Sequence, residues 1–92
     1  MQAFDLDRSW RLHPQVSIRP EPFGALLYHF GTRRLSFLKD RTLLAIVQRL
    51  RTEPSAGAAC TSAGVGPADL ARYQRALGAL ASSNMVIERQ QP

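Results

Sequence analysis

Cysteine is nearly missing from this chain. Cys60 is the only one in 92 residues, which excludes an intramolecular disulfide and any multi-cysteine zinc site. No apolar run approaches the roughly 18–20 residues that cross a bilayer. The opening residues 1–7 carry two acids and no apolar h-region, so they do not read as a secretory signal. A cytoplasmic protein is expected. Catalytic groups are equally sparse. Asp5, Asp7, Glu21, Asp40, Glu53, Asp69 and Glu88 are scattered, with no pair poised for acid–base work. His13 and His29 lie in different segments, without the carboxylate or cysteine spacing of a metal site. Ser36 and Lys39 match a serine–lysine spacing, but on a strand rather than at the helix start that such chemistry needs. Gly64-Val65-Gly66 lacks the later glycine and the preceding strand of a dinucleotide loop. Neither an enzyme, a metal nor a cofactor is expected.

What is present suits one small domain spanning 1–92. Apolar residues make up 45%, enough for a modest core. The net charge is +5, with Lys39 the only lysine beside eleven arginines. That balance favours an anionic partner without choosing among nucleic acid, acidic peptide and lipid surface. The bias toward arginine is first a matter of composition.

The hydrophobic pattern changes period part-way along. Val16 to Arg19 alternates as a half-buried strand, and Pro20-Glu21-Pro22 is expected to stop it, because proline lacks the ladder donor. Gly24 to Phe30 reads as a buried strand, and Gly31-Thr32 as the turn to a hairpin partner, Arg33 to Leu38. After Lys39 the spacing becomes helical. Asp40 is a good N-cap for a helix to about Arg51, with Leu43, Leu44, Val47 and Leu50 on one face. Ser55 caps a short second helix to about Ala63, and Gly64-Val65-Gly66 forms a corner. Pro67 is expected in the first turn of a third helix that carries Leu70, Tyr73, Leu77 and Leu80 on one face to about Ser83. Asn84 is a natural stop, and Met85 to Arg89 a short closing strand. The expected class is α+β: a three-stranded antiparallel sheet, three helices in a winged helix-turn-helix-like order, and a short C-terminal strand.

Two binding modes compete for that architecture. A recognition helix in DNA needs base-reading and phosphate-binding side chains on its exposed face. Here that face offers Asp69, Arg72, Arg75, Gly78, Ala79 and Ser82, which is thin equipment. The other mode is β-augmentation, an extended peptide added to a free sheet edge. In Arg34-Leu35-Ser36-Phe37-Leu38, Leu35 and Phe37 share one face and Arg34 and Ser36 the other. The plainer reading makes Leu35 and Phe37 core, and Arg33-Arg34 a solvated turn that discourages aggregation. A purely structural adaptor is a third alternative.

The run from Arg11 to Phe30, centred on Arg19-Pro20-Glu21-Pro22-Phe23-Gly24-Ala25-Leu26-Leu27-Tyr28, resembles the MftB family, the peptide chaperones of mycofactocin biosynthesis. Arg33-Arg34-Leu35-Ser36-Phe37-Leu38 and the helix after it match too, while the later helices match in pattern and length. The resemblance implies a non-catalytic recognition element for ribosomally made, modified peptides, similar to the pyrroloquinoline-quinone peptide chaperone. It implies that the leader of a precursor peptide lies along the third predicted strand, against the third helix. It also implies presentation to a radical S-adenosylmethionine enzyme, which holds the iron–sulfur clusters and acts on a C-terminal Val–Tyr. The peptide-binding positions so implied are Arg33, Arg34, Leu35, Ser36, Phe37 and Leu38 on the strand, with Leu70, Arg72, Tyr73 and Leu77 on the helix. Neither nucleic acid nor membrane is an expected partner, and self-association is left open.

Overall fold

The computed structural model describes residues 3–89, so the extreme ends of the expected domain lie outside it. Eight elements follow in order: β1 (Trp10–Leu12), β2 (Val16–Glu21), β3 (Gly24–His29), β4 (Leu35–Leu38), α1 (Arg41–Arg49), α2 (Ala56–Ser62), α3 (Leu70–Ser82) and β5 (Val86–Glu88). The fold is α+β. β2, β3 and β4 form an antiparallel sheet with β3 central, and β1 pairs with β5 in a second, two-stranded sheet.

Local chemistry accounts for most boundaries. Asp40 caps α1, its Oδ1 accepting from the Leu43 N–H at 2.6 Å. Ser55 caps α2 in the same way, its Oγ accepting from the Ala58 N–H at 3.0 Å. Helix α3 ends in a left-handed turn at Asn84, φ 65°. There the Met85 N–H reaches the Leu80 carbonyl at 2.9 Å and the Asn84 N–H the Ala81 carbonyl at 3.1 Å, the paired bonds of a Schellman stop.

Three expectations are corrected. β2 does not stop before Pro20 but runs through it to Glu21, with Pro20 opposite Ala25. Proline is tolerated because β2 is an edge strand and the missing N–H would face outward. Pro67 is not in the first turn of α3. Residues 67–69 form a turn ahead of the helix, in which the Asp69 N–H bonds the Gly66 carbonyl at 3.1 Å, and regular helix starts at Leu70. Finally, Trp10–Leu12 is a strand that local reading left unassigned. Its partners, Val86 to Glu88, lie at the far end of the chain.

The core lies between the inner face of the large sheet and the helices. Leu27, Leu38, Ile46, Leu50, Leu77 and Met85 are fully buried there. The N-terminal strap closes one side: Phe4 stacks on Trp10 at 4.3 Å, and its carbonyl accepts from Gln74 Nε2 at 2.6 Å.

Candidate functional site

One edge of the large sheet is open. The His29 N–H donates to the Arg34 carbonyl at 2.9 Å. In an antiparallel ladder, bonded pairs recur at every second residue. The register therefore gives the bonds to Leu27↔Ser36 and Ala25↔Leu38. The N–H and C=O groups of Leu35 and Phe37 face away from β3, at the rim of the last strand. Among the described residues nothing takes up those four groups.

The turn that delivers β4 is built around a histidine. His29 is 2% exposed, and its Nδ1 accepts from the N–H groups of Gly31 at 3.0 Å and Thr32 at 3.1 Å. Arg33 takes the left-handed conformation, φ 65°, that completes the reversal. His29 is thus a structural clamp. At the other end, Gly24 sits against the Leu38 carbonyl, where a Cβ would overlap that oxygen. This close approach requires glycine.

Beside the free rim runs a groove of about 540 Å³ between β4 and α3. One wall is Ser36, Leu38 and Asp40; the other is Tyr73, Ala76, Ala79 and Leu80, with Lys39 and Arg72 among the lining cations. Asp40 sets the separation of the walls. While Oδ1 caps α1, Oδ2 accepts from the Tyr73 hydroxyl at 3.0 Å, tying the end of β4 to α3. Burial, then the Asp40 hydrogen bond and charge, raise the Tyr73 pKa, so the phenol stays a donor at neutral pH. The Arg72 guanidinium lies 5.0 Å over the Tyr73 ring. Ala76 and Ala79 contribute by being small, which leaves room along α3.

The outer face of β4 is apolar and uncovered. Leu35 is 57% and Phe37 60% exposed, which overturns the reading of both as core; Leu38 is buried instead. Phe23 packs 6.3 Å from Phe37, and Tyr28 meets Phe30 edge-on at 5.0 Å, so an aromatic stripe crosses this face.

Comparison with known proteins decides the family. The model of the "Peptide chaperone MftB family" matches residues 9–87, nearly all of the chain. The chain belongs to the peptide chaperone MftB family. Relatives bearing that name include the Mycobacterium tuberculosis protein, 63% identical over 87 residues, covering 95% of this chain and 80% of that one. The Mycobacterium ulcerans protein is 58% identical, covering 96% and 81%. The Mycolicibacterium smegmatis protein is 58% identical, covering 92% and 83%. No solved structure matches. The resemblance drawn from Arg19 to Tyr28 is thereby shown, and the family's name is that of a non-catalytic, peptide-handling protein.

The ten positions singled out from sequence scatter more widely than one groove. Ser36, Phe37, Leu38, Arg72 and Tyr73 line it. Leu35 is on the outer face, and Arg33 and Arg34 are exposed at the turn. Leu70 is half-buried at the start of α3, and Leu77 is fully buried in the core. Sequence reasoning missed Lys39, Asp40, Leu43, Ala76, Ala79, Leu80 and Ser83 as lining residues. The i, i+3, i+4 spacing of Tyr73, Ala76, Ala79, Leu80 and Ser83 carried the signal, one helical face partly made of small residues.

Proposed function

We propose that this chain is a peptide chaperone that takes the leader of a precursor peptide as an added strand on β4. The β4–α3 groove holds the side chains that point inward, and the loaded chaperone presents the peptide to a radical S-adenosylmethionine enzyme of mycofactocin biosynthesis. One observation carries the reading: the unpaired rim of Leu35 and Phe37 beside an apolar groove, in a chain of a family named for chaperoning peptides.

Magnitudes support a shared role for rim and groove. Four backbone bonds at a net ~0.5–1.5 kcal/mol each supply about 2–6 kcal/mol. Micromolar affinity needs about 8 kcal/mol after the guest has been ordered. Apolar side chains must make up the difference. Strand geometry assigns them: the guest residue opposite Ser36 points into the groove, and those opposite Leu35 and Phe37 cover the exposed outer face. Arg33 and Arg34 at one end, and Lys39 and Arg41 at the other, favour a guest with acids on both sides of that short apolar stretch.

Phe37→Pro tests the rim directly. The Phe37 N–H faces outward, so proline there removes a guest bond and leaves the β3 ladder intact. Calorimetric titration with the leader peptide is expected to show affinity weakened about tenfold or more, beyond the loss in Phe37→Ala. Equal affinity for the two variants would remove strand addition as the mode.

A further inference from the structure

A second cleft, of about 530 Å³, lies at the opposite edge of the same sheet, between β2, the β1–β2 turn and α1. Its apolar floor is Leu12, Val16, Ile18 and Val47, and its polar rim is Arg11, His13, Gln48 and Arg51. No acidic residue lines it. The Arg11 and Arg51 side chains have no carboxylate within ion-pair distance among the described residues, whereas Arg19 and Arg72 each have one and Arg8 has two. Partial burial, then His29 and Arg11, lower the pKa of His13, as expected inside a positive field.

This cleft is a poor second strand-addition site, because among the described residues β2 keeps only one free outward N–H, that of Ile18. The Phe30 N–H bonds the Gln15 carbonyl at 2.8 Å, so the outward groups of β2 belong to Val16, Ile18 and Pro20. The Val16 N–H is taken by the His13 carbonyl at 2.9 Å, and Pro20 has none. Recognition here runs through side chains: apolar groups for the floor and carboxylates for the two arginines. A sugar–phosphate backbone would satisfy the arginines and leave the floor uncovered. A protein segment mixing acidic and apolar residues satisfies both, and the volume falls within the roughly 300–1,000 Å³ of ordinary binding pockets.

We propose that this cleft docks an acidic segment of the peptide-modifying enzyme while the β4 groove holds the peptide. The assignment of the enzyme as occupant rests on the peptide-chaperone reading above. With β3 between them, the two edge strands stand about 10 Å apart, and the two sites, which share no lining residue, can be filled together.

The test uses the full chain, the purified modifying enzyme and the leader peptide, each titrated separately by calorimetry. In Arg11→Glu/Arg51→Glu, enzyme binding is expected to weaken about tenfold or more while leader affinity stays within about twofold. Arg11→Lys/Arg51→Lys, which keeps the charge, is expected to retain the enzyme. Neither arginine side chain makes a hydrogen bond among the described residues, so the fold is expected to survive; Arg11→Gln/Arg51→Gln is the milder variant if reversal lowers Tm. On enzyme binding the His13 imidazole resonance should titrate at higher pH, as a carboxylate arrives beside Arg11 and Arg51. Undiminished enzyme affinity in the reversed variant would overturn the assignment. So would wild-type retention of a duplex DNA probe at physiological salt that is lost in that variant, which would give the cleft to nucleic acid. If the leader fails to bind wild type yet reversal still abolishes enzyme binding, the β4 reading falls and this one stands.

Discussion

The two edges of the three-stranded sheet were built under opposite rules. On β2, Pro20 deletes one outward donor, Val16 spends another on His13, and Arg19 pairs with Glu21 along the strand at 3.5 Å. On β4, Leu35 and Phe37 present donors and acceptors in register, with no proline and no bulge. Bare edges invite uncontrolled pairing, and proteins usually blunt them. Here one edge is blunted and the other is guarded only by cations at its two ends. In an antiparallel pairing of two β4 strands that sets Leu35 opposite the other copy's Phe37, Arg33 would face Lys39, which disfavours a second copy of the chain and leaves acidic guests welcome. The difference teaches that an edge can be selective through charge placement while its backbone stays unprotected.

Three perturbations sharpen or break the contrast, beginning with the strongest. Asp40→Ala removes the α1 cap and the Tyr73 bond together. It is expected to cost about 2–3 kcal/mol in chemical denaturation and to loosen β4 from α3. Loss confined to the cap, about 1 kcal/mol, would mean that the Tyr73 tie does not hold the groove's width. Next, Pro20→Thr returns an outward donor to β2. Sedimentation should then reveal concentration-dependent self-association absent from the parent, and a strictly unchanged profile would show that proline is not what blunts this edge. The mildest effect comes from pH. His13 titrates below its ordinary value, so the folded state favours the neutral ring. Its contribution to stability is complete above the unfolded value near 6.5 and falls away as pH drops through the lower folded value. Tm of His13→Gln should therefore decline less than that of the parent on acidification below 6.5, with the leader groove unaffected.

Much of this is legible in the amino-acid sequence itself. Asp40, Ser55 and Asn84 act through their own backbone neighbours, and such short-range chemistry reads directly from sequence. The strands around Gly31 followed from period and turn residues for the same reason. What escaped was long-range. Trp10–Leu12 becomes a strand only because Val86–Glu88 returns to it. Pro20 stays in β2 only because nothing pairs on its far side. The rotation of α3 put Leu77 in the core and Ala76 and Ala79 on the groove, a matter of which partners the helix packs against. The two faces of β4 were separable by alternation, but which one met the core depended on the helices beneath it.

The pairing of β1 with β5 brings distant parts of the chain together, the Arg89 N–H bonding the Ser9 carbonyl at 2.9 Å. Once the N-terminal strap had let go, tension applied through both ends of the chain would reach this short ladder from one side and peel it open rung by rung. The β2–β3–β4 sheet lies inside that seam. A tether or tug at the ends would be absorbed first by the strap, where the Gly57 N–H bonds the Leu6 carbonyl at 2.7 Å and the Ala56 N–H the Arg8 carbonyl at 3.0 Å, and then by three residue pairs, leaving the inner sheet unstrained until both had parted.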